Sequence, residues 1–390
     1  MQKRFIFRKE YFGYIKYCIS SMTHEYVKEI DEPNENIKDI IELESSKYVN
    51  DGLLISPIRV YIETTLKCNL KCSYCFNIVG QHPDLSTNEM YKAIDEFNQN
   101  GVIDLRFTGG EITQRADWYE ILEYAKQKGF IFSVNTNGAY KSNKIIQQFL
   151  SLKPNQITFS VDGIGINHDN VRGNGSFSKL INNMKILKQN GLNLRINTAL
   201  SKTNTKYIDD ILGLAEEYCT EVNFFGIRNI GEGINFKDSL NFDEFFEVFN
   251  YLSQKKIKGL NILCGHNIMK QMSVNENEFG LVVGSPDFTT RFNITSNGDY
   301  QAGGYLAYVS SQLELGNVLK NSLFDVWHNN EKLKLLRGLS TKLKNICYKC
   351  GYYEKKCNGG IFEMELQRHF NNIANPYCAY NLDFIPNDYI

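Results

Sequence analysis

Three cysteines within eight residues, Cys68-Asn-Leu-Lys-Cys72-Ser-Tyr-Cys75, are the part of this chain best suited to chemistry. Soft thiolates select iron-sulfur clusters, zinc or copper. Structural zinc wants four protein ligands, and the only nearby Cys or His that could add a fourth is His82. A 4Fe-4S cluster held by three cysteines leaves one iron open, which is what a bound cofactor needs. A zinc or redox loop is the plainer alternative.

A second group, Cys347, Cys350, Cys357 and Cys378, lies near the C-terminus, and Cys18, Cys219 and Cys264 stand apart. The stretch from Met1 to Met22 mixes Lys3, Arg4, Arg8, Lys9, Glu10 and Lys16 among its aromatics, so it lacks the apolar core of a signal peptide. No other stretch is apolar for long enough to span a bilayer, so the expected compartment is the cytoplasm, with no membrane partner. Ten cysteines there do not make a disulfide framework, and metal ligation leads. The three isolated cysteines read as buried small hydrophobes, with Cys219 and Cys264 worth testing as hydrogen donors. His266, His328 and His369 have no second ligand at a metal spacing and read as structural. Hydrophobic residues at 42% and charged residues at 22% are ordinary for a soluble globular protein. A net charge of -1 with scattered Lys and Arg leaves no footprint for a phosphate backbone, which excludes nucleic acid.

The elements that must position these residues repeat one cadence. Six β-rich apolar runs, at 58–65, 104–108, 130–135, 156–161, 193–199 and 221–227, alternate with helical patterns such as 87–100, 117–128, 178–189 and 207–218. Ser86 with Glu89 forms a capping box for the first helix. Alternating strands and helices argue for an α/β fold with a parallel sheet, and six repeats suit an open partial (β/α)6 TIM-like barrel rather than a closed barrel of eight. Chemistry in such folds sits at the C-terminal ends of the strands. The cysteine loop follows the first run, and Thr108-Gly109-Gly110-Glu111, Asn135-Thr136-Asn137-Gly138 and Ser160-Val161-Asp162-Gly163 follow the next three. The two glycines would allow a ligand close approach to the backbone. Residues 1–56 read as an accessory segment with a β-hairpin at 5–17. Residues 57–270 form the core, and 271–390 a small cysteine-bearing α+β domain with a hairpin signal at Ser296-Asn297-Gly298-Asp299.

The C-x3-C-x2-C spacing, with Asn after the first cysteine and Tyr before the last, resembles the radical S-adenosylmethionine (SAM) superfamily over most of 57–270. The resemblance implies that Cys68, Cys72 and Cys75 hold a 4Fe-4S cluster and that Tyr74 lies against the adenine of SAM. Gly109-Gly110-Glu111 then matches the motif for the methionine amino group, and Asn135, Ser160, Asp162 and Arg172 become candidates for the cofactor's ribose and carboxylate. Turn chemistry by Asn, Asp and Gly is the alternative for these last positions. The implied chemistry is reductive cleavage of SAM to a 5'-deoxyadenosyl radical that takes hydrogen from a substrate, with electrons from an external donor such as a flavodoxin or ferredoxin.

The tail resembles the SPASM extension of radical enzymes that modify peptides and proteins, through Leu315-Gly316-Asn317-Val318, Leu323-Phe324-Asp325-Val326-Trp327, Leu336-Arg337-Gly338, Cys347-x2-Cys350, Cys357-Asn-Gly-Gly and Pro376-Tyr377-Cys378. That family usually carries seven cysteines for two auxiliary clusters, whereas Gly303 and Ile361 here stand where cysteines are expected. The lost positions belong to one auxiliary cluster, and Cys347, Cys350, Cys357 and Cys378 to the other, so two 4Fe-4S clusters are expected in total. A tetrathiolate site also suits structural zinc, and spacing leaves that metal open. The implied substrate is a ribosomally made peptide, modified by a crosslink, a thioether or epimerisation. The competing readings are sulfatase-maturing oxidation of Ser or Cys, and a non-catalytic zinc-stabilised binding protein.

Overall fold

The computed structural model describes residues 3–31, 35–77, 83–140, 142–228, 230–264, 279–282, 285–301, 303 and 313–347, the last six as helix backbone alone. Of the residues singled out above, His82, His266, His369, Cys350, Cys357, Ile361 and Cys378 lie outside these, as does the side chain of Cys347.

The aromatic-rich start of the chain folds as a four-stranded sheet of β1 (Phe5–Glu10), β2 (Gly13–Cys18), β3 (Thr23–Val27) and β4 (Ile37–Ile41), in the order β3-β2-β1-β4. The hairpin expected at 5–17 is β1 and β2, with Phe5 opposite Cys18. Arg8 ties this sheet to the core. It is fully buried, pairs with Glu10 at 2.7 Å, and donates to Ser56 Oγ at 2.8 Å, Ser56 O and Gly101 O at 2.9 Å, and Pro57 O at 3.1 Å.

The core sheet contains β5 (Arg59–Glu63), β6 (Asp104–Thr108), β7 (Ile131–Thr136), β8 (Gln156–Ser160), β9 (Leu194–Leu200) and β10 (Glu221–Gly226), each parallel to the next. These are the six expected strands. β11 (Asn261–Cys264) extends one edge in parallel, and β12 (Arg291–Ile294) extends the other beside β5, with β13 (Tyr300–Gln301) antiparallel to it. The sheet runs β11-β10-β9-β8-β7-β6-β5-β12-β13 and does not close. Helices α1 (Thr87–Gln99), α2 (Trp118–Gln127), α3 (Asn143–Leu152), α4 (Ile166–Arg172), α5 (Ser176–Gln189), α6 (Ile208–Tyr218) and α7 (Phe242–Ser253) fall between the core strands; α8 (Pro286–Thr289), α9 (Leu323–Asn329) and α10 (Glu331–Cys347) follow. The Ser86–Glu89 capping box starts α1 as the sequence predicts.

Alternation along each strand sorts the side chains. Val60, Ile62, Leu105, Phe107, Phe132, Val134, Ile157, Phe159, Ile196 and Val222 pack with Met90, Ile94, Phe97, Ile121, Phe149 and Ile211 of the helices in one buried core. Their strand neighbours Arg59, Tyr61, Arg106, Ser133, Asn135, Thr158, Ser160, Arg195 and Asn197 therefore face the concave side. A closed barrel usually fills that space with layers of branched aliphatics. Here it is a polar lumen.

A candidate active site at the carboxyl ends of the strands

The cysteine loop leaves β5 and is pinned at once to the exit of β6. The Thr64 amide donates to Thr108 O at 2.8 Å, the Gly110 amide to Thr65 O at 2.7 Å and the Glu111 amide to Lys67 O at 2.8 Å. Gly109 takes φ +143°, and a Cβ there would stand 2.4 Å from Thr65 O; a Cβ on Gly110 would stand 2.4 Å from Lys67 O. The close approach that the glycines permit is thus by the chain's own backbone.

Glu111 is 1% exposed. Its carboxylate accepts from Thr113 Oγ1 at 2.8 Å, the Thr113 amide at 3.2 Å, Thr136 Oγ1 at 2.9 Å and the Asn137 amide at 2.8 Å. Burial raises its pKa above the usual carboxylate range, and these donors oppose the rise. The same Asn137 then reaches the cysteine loop, with Nδ2 2.8 Å from Asn69 Oδ1 and 3.9 Å from Cys68 Sγ. The side chain of Asn135, two residues earlier, lies on the lumen face opposite Thr158, and Ser160 lies on that face opposite Asn197. Among the described residues neither is hydrogen-bonded to the cysteine loop. Thr136 and Asn137 are the contacts that sequence reasoning missed, although both stand in the motif it quoted.

Tyr74, Asp162 and Arg172 do come together. The Tyr74 hydroxyl and Arg172 Nε both donate to Asp162 Oδ2, Arg172 Nη2 lies 2.6 Å from the Tyr74 oxygen, and Arg172 Nη1 lies 3.9 Å from Cys72 Sγ. The other Asp162 oxygen accepts from the Ala199 amide at 2.9 Å, which anchors the carboxylate to β9. Asp162 is 1% exposed and Arg172 8%, so this ion pair is buried and charge-assisted. It clamps the middle of the cysteine loop to the ends of β8 and β9.

Cys68 is exposed, and Cys72 and Cys75 are half-buried. Burial pushes the Cys72 thiol up to about 11, Arg172 opposes it, and Asp162, Cys75 and Cys68 add to it. Cys68 is raised by burial as well. The three thiols share one field, so loading a metal there must displace protons. Among the described residues no three His, Cys, Asp or Glu gather as closely as a single ion requires. The donor set is three thiols on one loop, one for each of three irons, with N–H donors from Asn137 and Arg172 beside the sulfurs, which suits a cluster. When bound, such a cluster and SAM supply the electron and the radical. The chain's own residues hold the loop, orient the thiols and set their charge.

Residues 62–215 match the model of the radical SAM superfamily. Over that stretch the chain carries a radical SAM domain. The chain is 27% identical over 342 residues to the AdoMet-dependent heme synthase of Oleidesulfovibrio alaskensis, across 82% of this chain and 86% of that protein. It is 24% identical over 324 residues to the mycofactocin maturase MftC of Mycolicibacterium smegmatis, across 79% of this chain and 78% of the other. Its fold is similar to that of Streptococcus suis SuiB bound to precursor peptide SuiA, with a TM-score of 0.74 and 16% identity over 93% of this chain and 95% of that one.

Cys219 and Cys264, weighed above as hydrogen donors, pack in the apolar layer between sheet and helices rather than in the lumen. Burial pushes both thiols up to about 12, as small hydrophobes would be. His328 bonds Asp51 Oδ2 at 2.8 Å and Ile55 O at 3.0 Å, a structural role. Among the described residues no helix is long and apolar enough to cross a membrane.

Proposed function

We propose that this enzyme, in the cytoplasm, binds a 4Fe-4S cluster at Cys68, Cys72 and Cys75, cleaves SAM with an electron from a flavodoxin- or ferredoxin-like donor, and modifies a ribosomally made peptide by hydrogen abstraction. The observation that carries the reading is the placement of the cysteine loop. Gly110, Asn137, Asp162 and Arg172 fix it at the carboxyl ends of the strands, above their polar concave face. Likeness to the fold of SuiB, and sequence similarity to MftC, favour a peptide. Cys347, Cys350, Cys357 and Cys378 would hold the second cluster or a zinc ion. A second reading, with a small molecule as substrate, is favoured by the 27% identity to a heme synthase over 82% of the chain.

The test is iron and sulfide content after anaerobic reconstitution, followed by 5'-deoxyadenosine production. Wild type should hold about eight irons and the Cys68/Cys72/Cys75 triple Ala variant about four. Cys72→Ala should produce no 5'-deoxyadenosine, and full cleavage by that variant would sink the cluster assignment. Deuterium moving from a labelled peptide into 5'-deoxyadenosine would identify the substrate class, and transfer only from a labelled small molecule would favour the second reading.

A further inference from the structure

The lumen below the cysteine loop holds a layer of charge that radical chemistry does not require. Four arginines face it, Arg59 from β5, Arg106 from β6, Arg195 from β9 and Arg291 from β12. Arg195 pairs with Glu221 at 2.7 Å, and Arg291 pairs with Asp287. Arg59 and Arg106 must share one acid. Both reach the same oxygen, Asp104 Oδ2, at 2.5 Å and 3.3 Å, and the Tyr17 hydroxyl takes it too at 2.8 Å. Asp104 Oδ1 is buried without a partner among the described residues. Arg59 has a further bond to Met22 O at 2.9 Å, whereas Arg106 bonds only Asp104 among the described residues. Glu63, one layer nearer the cysteine loop, accepts from the Ser296 amide at 3.1 Å. Among the described residues, Arg106 thus has no acid of its own and only shares Asp104 with Arg59.

The polar groups level with Arg106 are also unspent. Asn293, Tyr61, Arg106 and Ser133 stand in register across β12, β5, β6 and β7. Ser133 and Asn293 are 1% and 7% exposed, and neither Ser133 Oγ nor Asn293 Nδ2 has a hydrogen-bond partner among the described residues. Their strand neighbours Phe132, Val134, Phe292 and Ile294 sit in the helix-facing core, so these two groups point into the lumen. The Tyr61 hydroxyl has no partner among the described residues either. Burial pushes its pKa up, yet Arg106, Arg59 and Arg291 outweigh that and bring it down to about 8. Across the lumen, burial together with Arg106 and Arg59 lowers the pKa of Arg195 despite Glu221. A buried cation that only shares an acid, beside unsatisfied donors, is costly unless something fills the space.

We propose that this layer is a carboxylate subsite, in which Arg106, with Tyr61, Ser133 and Asn293, holds an acidic group of the substrate beneath the radical site. The planar guanidinium fork matches a carboxylate, and a single guanidinium that only shares an acid suits a monoanion better than a phosphate dianion. The inference rests on the reading that the lumen receives the substrate, and it adds that the substrate carries a carboxylate.

Line broadening of 13C-labelled acetate by the reconstituted enzyme tests it, with sulfate as the competing dianion. Wild type should show saturable broadening that sulfate displaces poorly. Arg106→Gln should weaken acetate binding at least tenfold, and Arg106→Lys, which keeps the charge without the fork, should restore only part of it. Tyr61→Phe, which keeps the ring, should weaken it severalfold and stands in if Arg106→Gln fails to fold. Absence of saturable broadening in wild type, or equal binding by the folded Arg106→Gln and Tyr61→Phe variants, would overturn the subsite. The two failures separate cleanly: lost acetate binding with intact SAM cleavage rejects the subsite alone, while acetate binding without SAM cleavage rejects the radical reading alone.

Discussion

At the scale of single residues, Arg172 has the most at stake. Its guanidinium meets a carboxylate, a phenol and a thiol, and its contact with the carboxylate is buried in the clamp that holds the cysteine loop. Removing one partner of a buried pair leaves the other charged and unsolvated, which costs roughly 3–5 kcal/mol. Arg172→Ala should therefore lower the denaturant midpoint sharply, because Asp162 retains only the Ala199 amide and the Tyr74 hydroxyl. The Arg172→Ala/Asp162→Asn double variant should lose less than the two single losses combined, because it removes the stranded charge. Additive losses would mean that the two side chains stabilise the fold independently and that the clamp is not a unit. Cluster content of the same proteins gives the functional half, and Arg172→Ala should retain less iron than wild type.

At the scale of elements, the loop after β5 depends on the loop after β6. A methyl group on Gly110 would meet Lys67 O at 2.4 Å and Leu66 O at 2.6 Å, both backbone atoms that cannot swing aside. Overpacking of that kind costs about 1–3 kcal/mol and moves the backbone. The Gly110→Ala variant should stay folded yet take up less iron at the Cys68 loop, and wild-type iron content with wild-type SAM cleavage would show that the contact is dispensable. These elements were legible in the sequence because each carries its own period and its own stop signal, as in the run to Thr108 followed by two glycines, or Ser86 with Glu89 ahead of α1. The lumen was not legible. Arg59, Tyr61 and Arg106 alternate with apolar residues as any half-exposed strand would, and only the curling of the open sheet around them turns a polar face into an interior. Asn137 was passed over for Asn135 because one residue past the strand end the chain turns, and periodicity then says nothing about direction.

The whole molecule is held together by contacts distant in sequence, and these were the least legible of all. β12, 232 residues after β5 from Arg59 to Arg291, pairs with it in parallel, Phe292 beside Val60 and Ile294 beside Ile62. Trp327 Nε1 donates to Leu54 O at 2.8 Å, and Phe288, Phe292, Ile294, Tyr300, Leu323, Val326 and Trp327 belong to the same core as the barrel helices. A chain ended at residue 270, where the sequence pattern of strand and helix stops, would expose the edge of β5 and lose all seven of those side chains. Each is worth roughly 1.5–3 kcal/mol when buried, so their sum matches or exceeds the net stability of about 5–15 kcal/mol that a folded domain usually has. An unpaired parallel strand edge also invites association. Residues 1–270 alone should therefore be recovered as aggregate, or as a species without a cooperative melting transition, while the full chain melts cooperatively. A soluble 1–270 fragment melting as sharply as the full chain would mean that the barrel is complete without β12, and that residues 285–341 are a separable addition rather than part of the fold that carries the site.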